Sequence, residues 1–269
     1  MPVPTRLGPL HVETVGEGPP ALLWHSLFVD STTWVRLRPG LAATRRLVIV
    51  DGPAHGRSAA PAGPFTLEEC AGAALDVIDH LGITEPVDWL GNAWGGHVGI
   101  VFAATNPSRC RSLATIGTPV HALTPPERRQ IALLVPLYRV AGPVRPVLSA
   151  LTAALLGGGA DPEAVAVVSA AFARAGRAGM ARAIQSASLD RPDLTSKLTR
   201  IAAPTLFAAA TDDPTWTPTD AAAAASLLPQ GTTTAVAGAG HVAPLFEAAP
   251  AVVDLLTAFW QDPVAAVAR

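Results

Sequence analysis

Cysteine is scarce in this chain of 269 residues: Cys70 and Cys110 are the two present, and they form no CxxC pair. A disulfide framework or a zinc site needs more cysteines at closer spacing, so the sequence argues against both. Cys70 falls on the apolar face of a predicted helix, where we expect a core thiol. Cys110 precedes a predicted strand with no base near it in sequence, and we expect a free thiol without a catalytic role.

Long apolar runs and an excess of charge of one sign are also missing. The most apolar region, 131–156, is interrupted by Arg139 and Arg145 and has no run of the ~18 residues that a membrane span needs. The formal net charge is −2, whereas a nucleic-acid-binding protein would carry a basic field. The first residues lack the apolar stretch of a signal peptide. We therefore expect a cytoplasmic protein with no membrane span, no nucleic-acid partner and no cofactor.

Short runs of β-forming residues alternate with helical patterns over most of the chain. The predicted strands are 10–15, 20–24, 46–50, 86–90, 112–116, 204–209 and 232–237. The predicted helices are 66–81, 94 to just before Pro107, 219–228 and 250–261. The middle strands are continuously apolar, as in parallel strands covered on both faces. This alternation predicts an α/β fold with a doubly wound, mostly parallel sheet.

The alternation stops between residues 121 and 200. That region has helical periodicity, breaks at Pro and Gly, and no convincing strand. Because it lies between two predicted core strands, we expect a helical cap inserted over the top of the sheet. The predicted division is a core of 1–120 and 201–269 and a cap of 121–200.

The stretch GNAWGGH, residues 91–97, joins a predicted strand to a predicted helix. A sharp turn of this kind strains the backbone of its central residue. Neighbours two positions away must be small, because the strand and helix backbones nearly touch. Gly91, Gly95 and Gly96 meet that requirement, and Ala93 stands at the centre, where a G-x-S-x-G turn carries a nucleophile. The glycines alone also fit a tight turn without chemistry, whereas the phosphate-loop signatures do not fit.

Two loops earlier in the chain also follow predicted strands. His25 and Ser26 follow the strand 20–24, and a loop there can present a backbone N–H to a developing oxyanion. The second N–H would come from Trp94, the residue after the centre of the turn. The stretch DGPAHGRS, residues 51–58, is interpreted as a structural loop, with His55 as a hydrogen-bonded loop residue.

Two later stretches bring an acid and a base to strand ends. Asp212 and Asp213 follow the strand 204–209, where a carboxylate can either orient a histidine or stabilise a turn. His241 follows the strand 232–237 and a glycine-rich loop. The chain order is therefore turn, acid and histidine, each after a strand, and ligands bind at the carboxyl ends of such strands.

These stretches together resemble the α/β-hydrolase superfamily, whose triads follow the same chain order. HSLFVDSTTW is similar to the family's oxyanion loop, DGPAHGRS to its D-x-P-G-x-G-x-S loop, GNAWGG to its nucleophile elbow G-N-S-W-G-G, and GHVAPLFEAAP to its histidine loop. The chain most resembles the small enol-lactonase and esterase-like serine hydrolases, whose oxyanion loop often has N-S-L-G where this chain has His25 to Phe28.

The resemblance implies a hydrolytic site and a mechanism. It places the nucleophile at position 93, the acid at Asp213 with Asp212 as the alternative, and the base at His241. It assigns the oxyanion hole to the N–H groups of Leu27 and Trp94, and it implies an acyl-enzyme formed from an ester or lactone.

Ala93 cannot form the acyl-enzyme, so we expect this chain to be nearly inactive. Three explanations are open: a Ser→Ala variant of a hydrolase, a natural ligand-binding protein on the same fold, or a reaction that uses His241 alone. Retention of Asp213, His241 and the turn glycines favours the first.

The predicted substrate is a small hydrophobic carboxylic ester or lactone, because the inserted region has few charges and many apolar residues. A dicarboxylate-type enol-lactone would need a cationic anchor, for which Arg128, Arg129, Arg139 and Arg145 are candidates. C–C bond hydrolysis on the same fold is the alternative reaction.

Overall fold

A single sheet of eight strands forms the centre of the protein in the computed structural model, which describes residues 1–142 and 144–267. The strands are β1 (Pro2–Val3), β2 (Leu10–Val15), β3 (Pro20–Trp24), β4 (Arg46–Val50), β5 (Val87–Asn92), β6 (Cys110–Ile116), β7 (Thr205–Ala210) and β8 (Gly231–Val236). Their spatial order is β1-β2-β4-β3-β5-β6-β7-β8. β3 to β8 run parallel, whereas β2 is antiparallel to β4 and β1 is antiparallel to β2.

Helices connect the strands and cover the sheet. They are α1 (Arg38–Ala42), α2 (Leu67–His80), α3 (Trp94–Thr105), α4 (Pro125–Ala141), α5 (Arg145–Leu156), α6 (Pro162–Arg174), α7 (Arg177–Ile184), α8 (Thr195–Leu198), α9 (Pro218–Ala225), α10 (Pro244–Glu247), α11 (Ala249–Gln261) and α12 (Pro263–Val267). In the part of the chain that the structure describes, no helix is both long and apolar enough to cross a membrane.

The predicted α/β fold with a mostly parallel sheet is confirmed. β3, β4 and β5 are buried along almost their whole length, which explains their continuously apolar sequences. α2 begins with a capping box formed by Thr66 and Glu69 and ends before Gly82, whose φ is +66°. β1 was not predicted, because two residues are too short to show a pattern.

Both cysteines are buried free thiols. The core position of Cys70 was predicted, whereas Cys110 was expected just before the strand and is instead its first residue. Cys70 lies on the inner face of α2, and Cys110 begins β6. Burial raises the pKa of the Cys110 thiol to about 12, so it stays protonated at neutral pH.

All regular secondary structure described between β6 and β7 is helical. This segment carries α4 to α8 and a π-helical turn at Gln185–Leu189, and its described residues, all but Pro143, include no strand. We refer to residues 121–200 as the inserted segment. Gly157, Gly158 and Gly159 separate α5 from α6.

Candidate active site

The parallel strands bring the chemistry-bearing loops to one edge of the sheet. β3, β5, β7 and β8 end at Trp24, Asn92, Ala210 and Val236. The loop that begins at His25, the turn at Ala93, the acidic pair and the His241 loop follow these ends in that order. Because β3 to β8 run parallel, their carboxyl ends all lie on the same side.

The turn between β5 and α3 has the backbone of a nucleophile elbow. Ala93 has φ +46° and ψ −105°, a region that alanine rarely occupies. Its N–H donates to the carbonyl oxygen of Ile116 at 2.9 Å, and its carbonyl oxygen accepts from the N–H groups of Gly96 and His97. Its Cβ therefore stands on a sharp bend at the end of β5, where an elbow presents its nucleophilic side chain.

The glycines around Ala93 are required by close backbone contacts. A Cβ at Gly95 would lie 1.8 Å from the carbonyl oxygen of Trp24, and one at Gly91 would lie 2.3 Å from the carbonyl carbon of Gly95. A Cβ at Gly96 would lie 2.1 Å from Oγ1 of Thr118. The strand and the helix meet as closely as the sequence pattern requires.

Asp213 and His241 face each other at this edge. Nδ1 of His241 lies 3.6 Å from Oδ2 of Asp213, just beyond hydrogen-bond length. Neither buried atom has another hydrogen-bond partner among the described residues. A small side-chain movement would close the contact, which would leave Nε2 of His241 for an acid–base role.

The Asp213 carboxylate is buried, and its second oxygen is held by the loop itself. Oδ1 accepts from the N–H of Thr215 at 2.8 Å and from its hydroxyl at 2.7 Å. Burial pushes the pKa of Asp213 upward, but the interactions with His241 and Thr215 outweigh it and leave the pKa below its usual value. The carboxylate is therefore ionised at neutral pH.

Asp212, the alternative acid, does not reach His241. Its side chain is exposed and accepts a hydrogen bond from the Thr211 hydroxyl at 2.9 Å. The backbone N–H of Asp212 donates to the carbonyl oxygen of Gly238. The two neighbouring carboxylates thus lie in different environments, and Asp213 is the one beside the histidine.

Asn92 is a site residue that sequence reasoning missed. Its Nδ2 donates to the carbonyl oxygens of His241 at 2.6 Å and Ile116 at 2.9 Å. Gly117 also packs against the histidine, since a Cβ at that glycine would lie 2.3 Å from Cβ of His241. The residue before Ala93 therefore fixes the His241 loop to the elbow. The one feature of the sequence that could have pointed to Asn92 is its position directly before Ala93.

A backbone hydrogen bond joins the loop after β3 to the turn at Ala93. The N–H of Gly95 donates to the carbonyl oxygen of His25 at 3.1 Å. Leu27, half-buried, lies two residues further on, and Trp94 is the first residue of α3. In the part of the chain that the structure describes, neither the Leu27 N–H nor the Trp94 N–H donates to a protein acceptor. Both predicted oxyanion donors remain free for a ligand oxygen.

Two buried, neutral histidines support this loop. Nε2 of His25 accepts from the N–H of Gly52 at 2.8 Å, and Nε2 of His55 accepts from the N–H of Phe28 at 3.3 Å. In each ring, Nδ1 donates to a backbone carbonyl. Burial lowers the pKa of His25 and lowers that of His55 to about 3. His55 thus bonds to the loop after β3 through Phe28, a specific partner that its sequence position did not reveal.

Comparison with known proteins agrees with this geometry. The family model described as alpha/beta hydrolase fold matches residues 19–248, which include the elbow, the acid and the histidine.

The chain belongs to the α/β-hydrolase fold family.

Two solved structures share the fold over nearly the whole chain. A thermophilic esterase from Thermogutta terrifontis superposes with a TM-score of 0.89 at 24% identity, over 98% of both chains. The enol-lactonase from Burkholderia xenovorans LB400 has a TM-score of 0.88 at 23% identity, over 97% of this chain and 100% of that one.

Curated relatives resemble the chain over different lengths. A pimeloyl-[acyl-carrier protein] methyl ester esterase from Xanthomonas oryzae pv. oryzae is 30% identical over 93% of this chain and 98% of its own length. Other matches are partial: the aligned part covers 29% of a dihydrolipoyllysine-residue acetyltransferase component from Pseudomonas putida and 42% of a pimeloyl-[acyl-carrier protein] methyl ester esterase from Nitrosospira multiformis.

Proposed function

We propose that this protein has the site of a serine hydrolase that cleaves a small hydrophobic carboxylic ester or lactone, and that Ala93 occupies the place of its nucleophile. The observation that carries the proposal is the backbone of Ala93. A residue with φ +46° is strained unless it is glycine, and such strain is concentrated at functional sites. An ordinary strand–helix connection has no need of it.

The mechanism follows from the groups around the elbow. A serine at position 93 would bond through Oγ to the substrate carbonyl carbon while Nε2 of His241 takes its proton. The N–H groups of Leu27 and Trp94 would stabilise the oxyanion. His241 would return the proton to the leaving alkoxide, and the acyl-enzyme would form. Water, deprotonated by His241, would then release the acid and restore the serine.

Asp213 has an electrostatic and orienting role in this proposal. Its ionised carboxylate would accept the Nδ1–H of His241 and so keep Nε2 unprotonated and directed at the nucleophile. When His241 takes up a proton, the buried negative charge beside it would stabilise the imidazolium. Thr215, which bonds the other carboxylate oxygen, prevents Asp213 from rotating away.

The substrate class rests on the inserted segment, which we propose acts as a cap over the site. A cleft of about 550 Å³ between α5 and α6 is lined by side chains such as Leu148, Ala153 and Val165, with Arg145 among them. Its lining includes none of Ala93, Asp213 and His241, but it adjoins the histidine loop at Gly157, which packs against Ala239. Relatives named as methyl ester esterase and enol-lactonase support an ester or lactone.

Arg145 is the candidate anchor for a carboxylate on the substrate. Of the four arginines considered from the sequence, it is the one that lines the cleft, whereas Arg128 donates to the carbonyl oxygen of Leu189. An acidic ester would therefore lose binding in an Arg145→Gln variant, and an uncharged ester would not.

The test of the proposed function is to replace Ala93 by serine and to assay aryl esters and lactones of increasing acyl length. We expect turnover of at least one of these substrate classes by Ala93→Ser. Adding His241→Ala should lower kcat by at least ~10³-fold. Turnover that is the same for Ala93, Ala93→Ser and the double variant would contradict the proposal.

A binding protein without turnover is the competing function, and Ala93 itself is the observation that favours it. On that account, the Ala93 chain binds an ester tightly and the Ala93→Ser variant binds it equally well without hydrolysing it. Calorimetry with both proteins, followed by product analysis, separates the two functions.

A further inference from the structure

Like the turn at Ala93, the oxyanion loop contains a non-glycine residue with an unfavourable backbone conformation. Phe28, directly after the proposed oxyanion donor Leu27, has φ +73°. A bulky residue in this region is strained, and it keeps such a conformation where its surroundings hold it. The path of the loop at the adjoining Leu27, and with it the placement of the Leu27 N–H, therefore depends on what holds Phe28 in place.

On the core side, His55 holds the loop through the hydrogen bond from the Phe28 N–H to its Nε2. That bond fixes one backbone group and leaves the Phe28 side chain and the residues after it to be held by other contacts.

Those other contacts come from α6, a helix of the inserted segment. The ring of Phe172 stacks on the ring of Phe28 with centroids 5.6 Å apart and planes 23° from parallel. Phe172 is fully buried. A ring held in this way keeps the Phe28 side chain on the side of the loop that its left-handed backbone requires.

The last residue of α6 adds an ion pair to the same loop. Arg174 donates to both carboxylate oxygens of Asp30, through Nε at 2.8 Å and Nη2 at 3.0 Å. Asp30 is buried, and its Oδ1 also accepts from the N–H of Thr32, so it caps the turn Ser31–Trp34 that ends the loop. This two-bond geometry fixes direction as well as distance.

We propose that α6 sets the geometry of the oxyanion loop through Phe172 and Arg174, which makes both of them positioning residues for the oxyanion hole. With α6 docked, Phe28 is kept left-handed, and the Leu27 N–H is left without a protein acceptor among the described residues. When these contacts are lost, Phe28 relaxes and the Leu27 N–H is displaced. The consequence for catalysis rests on the proposed function, whereas the structural coupling does not.

The chain supplies a matched control at the other end of α6. Arg36 of the core pairs with Asp161, just before α6, and with Glu163 in its first turn. This ion pair also ties α6 to the core, but it does not contact residues 27–30. Arg36→Gln thus removes a core-to-helix ion pair of the same kind without touching the oxyanion loop directly.

The first arm of the test is hydrogen exchange in the Ala93 chain as it stands. We expect Arg174→Gln and Phe172→Leu to speed amide exchange in residues 26–32 by about tenfold or more, and Arg36→Gln to leave it unchanged. Melting curves confirm that each variant is folded. If Arg174→Gln does not fold, the comparison with Arg36→Gln is made with Phe172→Leu. Equal exchange in the Arg174 and Arg36 variants would overturn the coupling.

The second arm is kinetic, in the Ala93→Ser background. Arg174→Gln is expected to lower kcat between about tenfold and a hundredfold with KM changed by less than about twofold, because a displaced N–H weakens transition-state binding most. Arg174→Lys should recover part of the loss, and Arg36→Gln should keep kcat. Faster exchange with an unchanged kcat would overturn the catalytic part. Absence of turnover in Ala93→Ser itself would refute the proposed function instead, and the exchange arm would still decide the coupling.

Discussion

Ala93 is a single residue whose strained backbone conformation is held in place by the surrounding fold. Its backbone lies where glycine is favoured, yet the residue is alanine, and hydrogen bonds to Ile116, Gly96 and His97 hold it. Strain of this kind costs about 1–3 kcal/mol. We attribute this strain to the proposed role of position 93, which the turn raises above the sheet edge.

The strain can be measured by removing it. Ala93→Gly is expected to raise the free energy of unfolding by about 1 kcal/mol, since the relief of strain exceeds the extra chain entropy that glycine loses. Ala222→Gly, on the exposed face of α9, should lower it by about 0.5–1 kcal/mol instead. Urea unfolding of both variants checks this, and a loss of stability in Ala93→Gly would contradict a strained elbow.

His55 gives the protein an acid sensitivity at the residue scale. Its pKa in the native state is about 3 against 6.5 in the unfolded chain, so the unfolded state binds more protons between those values. The contribution of the neutral His55 to the free energy of unfolding is full well above pH 6.5 and falls as the pH drops toward 3. For this one histidine the loss from pH 7.5 to pH 5 is about 2 kcal/mol.

Replacing His55 by glutamine tests that sign. Glutamine can still accept the Phe28 N–H but does not titrate, so we expect the variant to lose less stability than the parent between pH 7.5 and pH 5. The measurement is chemical unfolding at both pH values. A loss of stability that is equal in the two proteins would show that His55 is not held neutral by the fold.

At the scale of elements, the β5–α3 junction was predictable and the contacts of α6 were not. The junction shows in sequence because its glycines, apolar strand and helix are adjacent along the chain. The contacts of α6 join Phe172 to Phe28 and Arg174 to Asp30, more than 140 residues apart, and no local pattern marks them. Asp212 and Asp213 were ambiguous for a similar reason, because the direction in which each side chain points is decided by the loop.

The closeness of α3 to the end of β3 predicts a severe effect of one methyl group. Gly95→Ala would place Cβ 1.8 Å from the carbonyl oxygen of Trp24, which belongs to a central strand and cannot move freely. We expect the melting temperature to fall by more than 10 °C, as for a loss of several kcal/mol. Gly63→Ala, whose Cβ would meet no atom within 4 Å, serves as the control and should melt with the parent. Equal melting of the two variants would contradict the close contact.

At the scale of the whole molecule, the site depends on the order of the strands. Position 93, Asp213 and His241 come from β5, β7 and β8, whose carboxyl ends all lie on one edge because these strands run parallel. This assembly was predictable from the alternation of strands and helices. The position of the inserted segment against the oxyanion loop was not, because its helices pack by long-range contacts.

The proposed function requires that the turn at position 93 can hold a working nucleophile. The most direct measurement is the intact mass of the Ala93→Ser protein after incubation with a p-nitrophenyl alkylphosphonate. We expect one phosphonyl group per chain, attached at position 93, with release of one p-nitrophenol. We expect no adduct on the Ala93 chain and much slower labelling when His241→Ala is added. A folded Ala93→Ser protein that remains unlabelled, or is labelled at the same rate without His241, would contradict the proposed function.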